Sequence, residues 1–250
     1  MSVITNIDKD HLENHENSFD ILKKNFLEFI NNLPFYGLCL LNMNDINSRS
    51  VINKISRPIK TFGIDINADY IATEINLNVM PATYKYKEDG NEYKIEINMP
   101  GQHNIMNSLA ALAISRELDV PIKIIQKALA NFPGISRRFE IIGNLKINEK
   151  EFLWIDDYGH HPTEMKEVLE TITNVWGKRR LIMIFQPHRY SRTAEHFNQF
   201  IDILKKVDNL ILMEIYAANE KPINNISSGG KWIALVLGSL IGLILVPFDS

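Results

Sequence analysis

The sequence predicts an α/β chain in two units, the second built on a parallel sheet. Three observations predict it. Apolar residues recur at helical spacing in some segments and alternate with polar ones in others, so helices and strands both occur. From Phe152 onward the pattern runs strand, helix, strand, helix, strand, the order of a doubly wound sheet. Between the two halves, Phe132-Pro133-Gly134 interrupts the pattern and sets a boundary near Gly134.

The elements follow in order. Residues 3–7 read as the end of a buried strand. Residues 18–32 carry Phe19, Leu22, Phe26, Phe29 and Ile30 on one helical face, and Leu33-Pro34 stops that helix. Residues 37–41 form a short buried strand and residues 47–56 a helix. Residues 61–98 alternate in several runs around Asp89-Gly90-Asn91, which predicts a β-meander. Residues 104–117 and 122–131 are helices joined at Val120-Pro121. Strands at 152–155, 181–185 and 210–215 then alternate with helices at 163–175 and 193–206. Trp232 to Phe248 is seventeen residues without a charge, near the lower limit of about 17 for a spanning helix. Gly238 and Gly242 add a Gly-x-x-x-Gly pattern there. Three readings stay open for this tail: a frameshifted or otherwise aberrant end, which is preferred, a membrane anchor, and a buried core helix.

Composition narrows the function. Hydrophobic residues at 45% and charged residues at 23% exclude wholesale disorder. A net charge of −3 offers no positive excess for nucleic acid or an anionic membrane. A single cysteine excludes a disulfide framework and a Cys-based zinc finger, and Cys39 sits in an apolar run as a buried thiol. The first residues are polar and acidic, with no secretory signal, so a cytoplasmic location is expected. Six of the nine arginines lie between Arg137 and Arg192, so forked recognition of carboxylate or phosphate is expected in that segment.

Ligands of open parallel sheets bind beyond the carboxyl ends of the strands. Two such loops are dense in functional groups, Asp156-Asp157-Tyr158-Gly159-His160-His161 and Gln186-Pro187-His188-Arg189-Tyr190-Ser191-Arg192, and Tyr216-Ala217-Ala218 follows the third strand. A solvated surface explains one such loop, but two at one sheet edge point to a ligand site. Arg137-Arg138 follows the boundary, either as surface charge or as a pair that reaches phosphates. His103, Asn104 and Asn107 open a helix. An Asn amide can serve an adenine edge, but taken alone it reads more readily as a helix cap. His11 and His15 stand four apart, too few for a zinc site, although one His could serve a Mg²⁺–phosphate assembly. The sequence contains neither G-x-x-x-x-G-K-[ST] nor G-x-G-x-x-G.

Taken together, Thr5 to His11, Asn32-Leu33-Pro34-Phe35-Tyr36-Gly37, Pro100-Gly101-Gln102-His103-Asn104, Ser136-Arg137-Arg138-Phe139, Asp156 to Glu164 and Phe185 to Thr193 resemble the Mur ligase family, specifically its alanine-adding branch. The resemblance implies part of a central ATPase domain over residues 1–134, part of a Rossmann-like C-terminal domain with a parallel sheet over 135–228, and an atypical apolar tail over 229–250. It implies ATP-dependent ligation of L-alanine to UDP-N-acetylmuramate through an acyl phosphate, for peptidoglycan, with ATP and Mg²⁺ as cofactors. His11 would help hold Mg²⁺. His103, Asn104 and Asn107 would lie at the adenine, and Asp156 or Asp157 would meet the ribose or position the nucleotide. Arg137 or Arg138 would reach the ATP phosphates. Tyr158, His160, His188, Arg189 and Arg192 would line the amino-acid pocket, with a His as proton acceptor.

Two departures from the family stand out. Its UDP-binding domain, phosphate-binding loop and acidic Mg²⁺ ligand belong before Thr5, and the resemblance stops near Ser228. These 250 residues are therefore expected to be inactive alone. The alternatives are a non-catalytic fragment that binds ATP or L-alanine, one half of a split enzyme with a separate N-terminal half, and a tail-anchored membrane protein.

Overall fold

The computed structural model describes residues 1–8, 12–147, 150–207, 209–223 and 241–246, the last as backbone. The chain divides into two units, Met1–Phe132 and Pro133–Ser250.

The first unit is a six-stranded sheet whose spatial order is its sequence order: β1 (Ser2–Ile4), β2 (Cys39–Asn42), β3 (Ile59–Ile64), β4 (Tyr70–Asn76), β5 (Ala82–Glu88) and β6 (Asn91–Ile97). The expected meander holds for β4 to β6, which are antiparallel. β3 instead joins β4 in parallel, with Phe62 opposite Tyr70. Helices α1 (Phe19–Asn31), α2 (Ile46–Val51), α3 (Gln102–Glu117) and α4 (Ile122–Ala130) complete the unit. β2 shows why its run is apolar throughout. Leu40 packs into one core with Phe62, Tyr84 and Ile105, while Cys39 and Leu41 pack into another with Ile4, Ile30 and Val51. Asp45 caps α2 by accepting from the Ser48 N–H (2.7 Å) and also accepts from the Ile7 N–H (3.1 Å). One carboxylate thus fixes both the helix start and the segment leaving β1.

In the second unit the strands are β7 (Glu140–Ile147), β8 (Lys150–Asp157), β9 (Arg180–Phe185), β10 (Asn209–Leu212) and β11 (Ile241–Val246). The helices are α5 (Pro162–Trp176), α6 (Tyr190–Glu195) and α7 (Phe197–Leu204). The sheet order is β10-β9-β11-β8-β7. β10 and β9 are parallel, and β8 runs with β9 because both are antiparallel to β11. The expected parallel strands are β8, β9 and β10, and β7 and β11 run antiparallel to them. β7 escapes period-two reading because Gly143, at φ +138°, shifts its register against β8 and because Ile141, Ile142 and Leu145 are exposed.

Two expectations are corrected. The helix expected at 193–206 is two helices, broken where His196 ends α6 and packs its ring on His161 at 4.6 Å. Within the tail, residues 241–246 are a strand seated between β8 and β9, not part of a core helix or anchor; the rest of the 232–248 run lies outside the described residues. Among the described residues no helix is long and apolar enough to cross a membrane.

Candidate functional site

β8, β9 and β10 run in one direction, so the chain segments following Asp157, Phe185 and Leu212 emerge at one sheet edge. There the rings form a continuous row. Arg137 Cζ lies 4.8 Å from the centroid of the Tyr158 ring. Tyr158 meets His160 edge-on at 5.4 Å, His160 lies 5.8 Å from His188, and His188 stacks on Tyr216 at 5.5 Å. Three loops thus contribute to one wall. Tyr216 belongs to it although sequence reading placed it only in the third loop. Its backbone N–H donates to Pro187 O and its carbonyl accepts from the Arg189 N–H, both at 2.8 Å. Those two bonds carry the β9–β10 pairing past the ends of the strands.

The histidines differ in their hydrogen bonds. His160 Nδ1 is 3.1 Å from Tyr158 O, a carbonyl that can only accept, so Nδ1 is the donor in this bond. His188 Nδ1 is 3.3 Å from Arg192 Nη1, which can only donate, so Nδ1 is the acceptor. Burial, then the neighbouring His160, Arg192 and Arg189, push the His188 imidazole below its usual pKa. His188 is accordingly neutral at pH 7. His161, next in sequence, belongs to the helix instead. Its ring accepts from the Thr163 N–H at 3.3 Å while Glu164 accepts from the His160 and His161 N–H groups (2.9 and 3.1 Å), a capping box with Pro162 in the first turn.

Asp157 and Asp156 also part ways. Asp157 is buried and accepts from the Phe139 N–H (2.7 Å) and the Gly159 N–H (2.6 Å). Burial pushes its carboxyl above the ordinary pKa, against the pull of those two donors. It therefore ties the Arg137-Arg138-Phe139 turn to the Tyr158–His160 loop. Asp156 lies beside Arg137, with Oδ2 3.8 Å from Nε. Arg138 is half exposed, and its Nη1 is 3.6 Å from Glu164 Oε1.

In the first unit the candidate residues sit at the start of α3. Gly101 there has φ +102°, and a Cβ would meet the His103 ring at 2.7 Å, so only glycine allows this entry. Asn104 is buried, and its amide donates to Pro100 O at 2.8 Å, bracing the same turn. Gly101 takes the N-cap position that sequence reading gave to Asn104. His103 and Asn107 are exposed. His11 lies outside the described residues, and His15 bonds its Nδ1 to Asn25 at 2.8 Å. Among the described residues no group of three or more His, Cys, Asp or Glu could hold a metal ion.

The Mur ligase middle domain matches residues 1–115, and the Mur ligase glutamate ligase domain matches residues 137–232. The chain belongs to the Mur ligase family. Among curated Mur ligases it is 43% identical to the UDP-N-acetylmuramate–L-alanine ligase of Hydrogenovibrio crunogenus over 224 residues, 89% of this chain and 49% of the relative. It is 42% identical to the same-named ligase of Methylococcus capsulatus, over 89% of this chain and 48% of the relative. The chain thus spans about half the length of the curated relatives it matches. The crystal structure of UDP-N-acetylmuramate-alanine ligase MurC from Thermotoga maritima covers 86% of this chain and 45% of its own, with TM-score 0.69 and 27% identity. MurF from Acinetobacter baumannii shares the fold at TM-score 0.66 and 22% identity. The mixed α/β architecture with its parallel strands is the Mur ligase fold.

Of the residues singled out in sequence, the structure gathers Arg137, Arg138, Asp156, Asp157, Tyr158, His160, His188, Arg189 and Arg192 in the second unit and His103, Asn104 and Asn107 in the first. Tyr216, Glu164 and Glu220 were missed as partners. Each is distant in sequence from at least one group it touches, and only the fold brings them together.

Proposed function

We propose that this chain carries the amino-acid-accepting part of a ligase that joins L-alanine to UDP-N-acetylmuramate at the expense of ATP, in the cytoplasm, for peptidoglycan. The observation that supports it is the wall Tyr158–His160–His188–Tyr216 with Arg189 and Arg192 in the β9–α6 loop, in a chain whose relatives are named for that reaction. In this reading Arg189 and Arg192 take the alanine carboxylate. The alanine ammonium must lose a proton before nitrogen can attack an acyl phosphate, and His160 Nε2 is the acceptor. His188, neutral and with Nδ1 engaged by Arg192, keeps Nε2–H as a donor to the substrate. The amide bond forms as the phosphate leaves with the C–O electron pair.

ATP falls to His103 and Asn107, exposed at the start of α3, with Asn104 bracing their turn. Arg138, the more exposed of its pair, is the phosphate-reaching arginine, because Arg137 is engaged with Tyr158 and Asp156. Asp156 takes the nucleotide-facing role and Asp157 the internal one. Mg²⁺ would offset phosphate charge, and His11 would help hold it.

Because the sequence holds no phosphate-cradling loop, these 250 residues alone bind L-alanine without turning over ATP. Calorimetry is expected to show heat on adding L-alanine and none for Arg189→Ala; heat that survives the substitution refutes the pocket. ADP release that depends on both UDP-N-acetylmuramate and L-alanine would refute the inactivity.

A further inference from the structure

The segment after β10 does more than present Tyr216. Glu220 reaches back to the loop that carries the arginines. Its Oε2 accepts from the Ser191 N–H at 3.0 Å and its Oε1 from the Ser191 hydroxyl at 2.7 Å. Ser191 lies between Arg189 and Arg192, so a two-pronged grip on it sets the orientation of both. The turn that delivers Glu220 is costly. Ala218 and Asn219 both stand in the left-handed region, at φ 46° and 68°, and the Glu220 N–H closes the turn on Ala217 O at 2.9 Å. Arg189 itself has φ 71° and donates its N–H to Tyr216 O. Non-glycine residues persist in such conformations only where surrounding bonds hold them, and here the same segment supplies those bonds.

We infer that Glu220 is a positioning residue for carboxylate capture, holding Arg189 and Arg192 in the geometry that receives the carboxylate of the amino-acid substrate. This inference rests on the amino-acid pocket proposed above. The charge state agrees with it: burial opposes ionisation of Glu220, but the two Ser191 bonds and Arg189 outweigh it and hold the carboxyl below its ordinary pKa. Glu220 makes no proposed contact with substrate; it acts through Ser191 and the two arginines.

The test compares L-alanine with L-alaninamide, which lacks the carboxylate, by calorimetry on the full chain. The unsubstituted protein is expected to prefer L-alanine. In Glu220→Gln that preference falls about tenfold, the equivalent of about 1.4 kcal/mol, while L-alaninamide binding is unchanged. Ser191→Ala, a milder change, lowers the preference in the same direction. The double variant loses less than the sum of the two, since both break one contact. General destabilisation weakens both ligands alike and leaves the preference intact. If Glu220→Gln and Ser191→Ala both keep the full preference, the positioning role is overturned and the pocket stands. If the unsubstituted chain shows no preference, the pocket and the positioning role fall together.

Discussion

The first unit pairs its six strands in the order in which the chain makes them, whereas the second seats its last strand between two earlier ones that do not pair with each other. In the first, each strand pairs with the next one in sequence order, and β2 is buried on both faces. In the second, β8 and β9 carry the candidate loops at their ends, and among the described residues their inner edges are joined through β11. The geometry of the candidate site therefore depends on a segment distant in sequence, in which Ile241 stands opposite both Asp157 and Phe185. The bonds of Asp157 to Phe139 and Gly159 stay within the flanks of the β7–β8 pair, but the distance from His160 to His188 spans the β11 seat.

Blocking the β11 seat is expected to have the largest effect. Leu243 stands opposite Ile155 on β8 and Met183 on β9. Leu243→Pro removes a ladder N–H from a central strand and is expected to cost the second unit about 4 kcal/mol. Hydrogen exchange reads this as lost protection in β8 and β9 with β2 to β5 unchanged; unchanged protection in β8 and β9 would remove β11 from the sheet. The counterpart is Leu40→Ala, a fully buried side chain in the first unit. It is expected to cost about 3 kcal/mol there, leaving the second unit's protection intact.

A smaller effect sharpens the role of Asp157. Asp157→Ala leaves the Phe139 and Gly159 N–H groups buried without an acceptor, a loss of about 2 kcal/mol in denaturant titration. If Asp157 instead contacted nucleotide from the surface, stability would hardly change. Smallest is the pH effect of His188. Its pKa is lowered in the folded state, so the unfolded chain binds more protons between that lowered value and the ordinary histidine value of about 6.5. Its contribution to stability is present above about pH 6.5 and declines as pH falls through that window. His188→Gln is expected to flatten the decline in denaturation midpoint below pH 6.5; an equally steep decline counts against a lowered His188.

Much of the first unit was legible in sequence because its signals are local. The spacing of Phe19, Leu22, Phe26 and Ile30 gives α1, and the alternation around Asp89-Gly90 gives β5 and β6. The parallel entry of β3 was not legible, since alternation says nothing of direction. In the second unit the loops rich in His and Arg were visible as motifs. β7 was hidden by the bulge at Gly143, and the β11 seat was hidden because an apolar run is compatible with strand, helix or membrane until its neighbours are known. The split roles of Asp156 and Asp157 depend on which carboxylate faces the backbone of Phe139, a choice that period-two alternation along β8 settles only once the register is fixed.

We propose that the amino acid is recognised in the second unit and the adenine at the start of α3 in the first. Amide chemical-shift mapping of the labelled chain tests it directly. L-alanine is expected to move the signals of residues 158–161 and 186–192 and to leave residues 101–107 in place, while ADP moves residues 101–107. L-alanine shifts confined to residues 101–107, or ADP shifts confined to residues 186–192, would contradict the assignment.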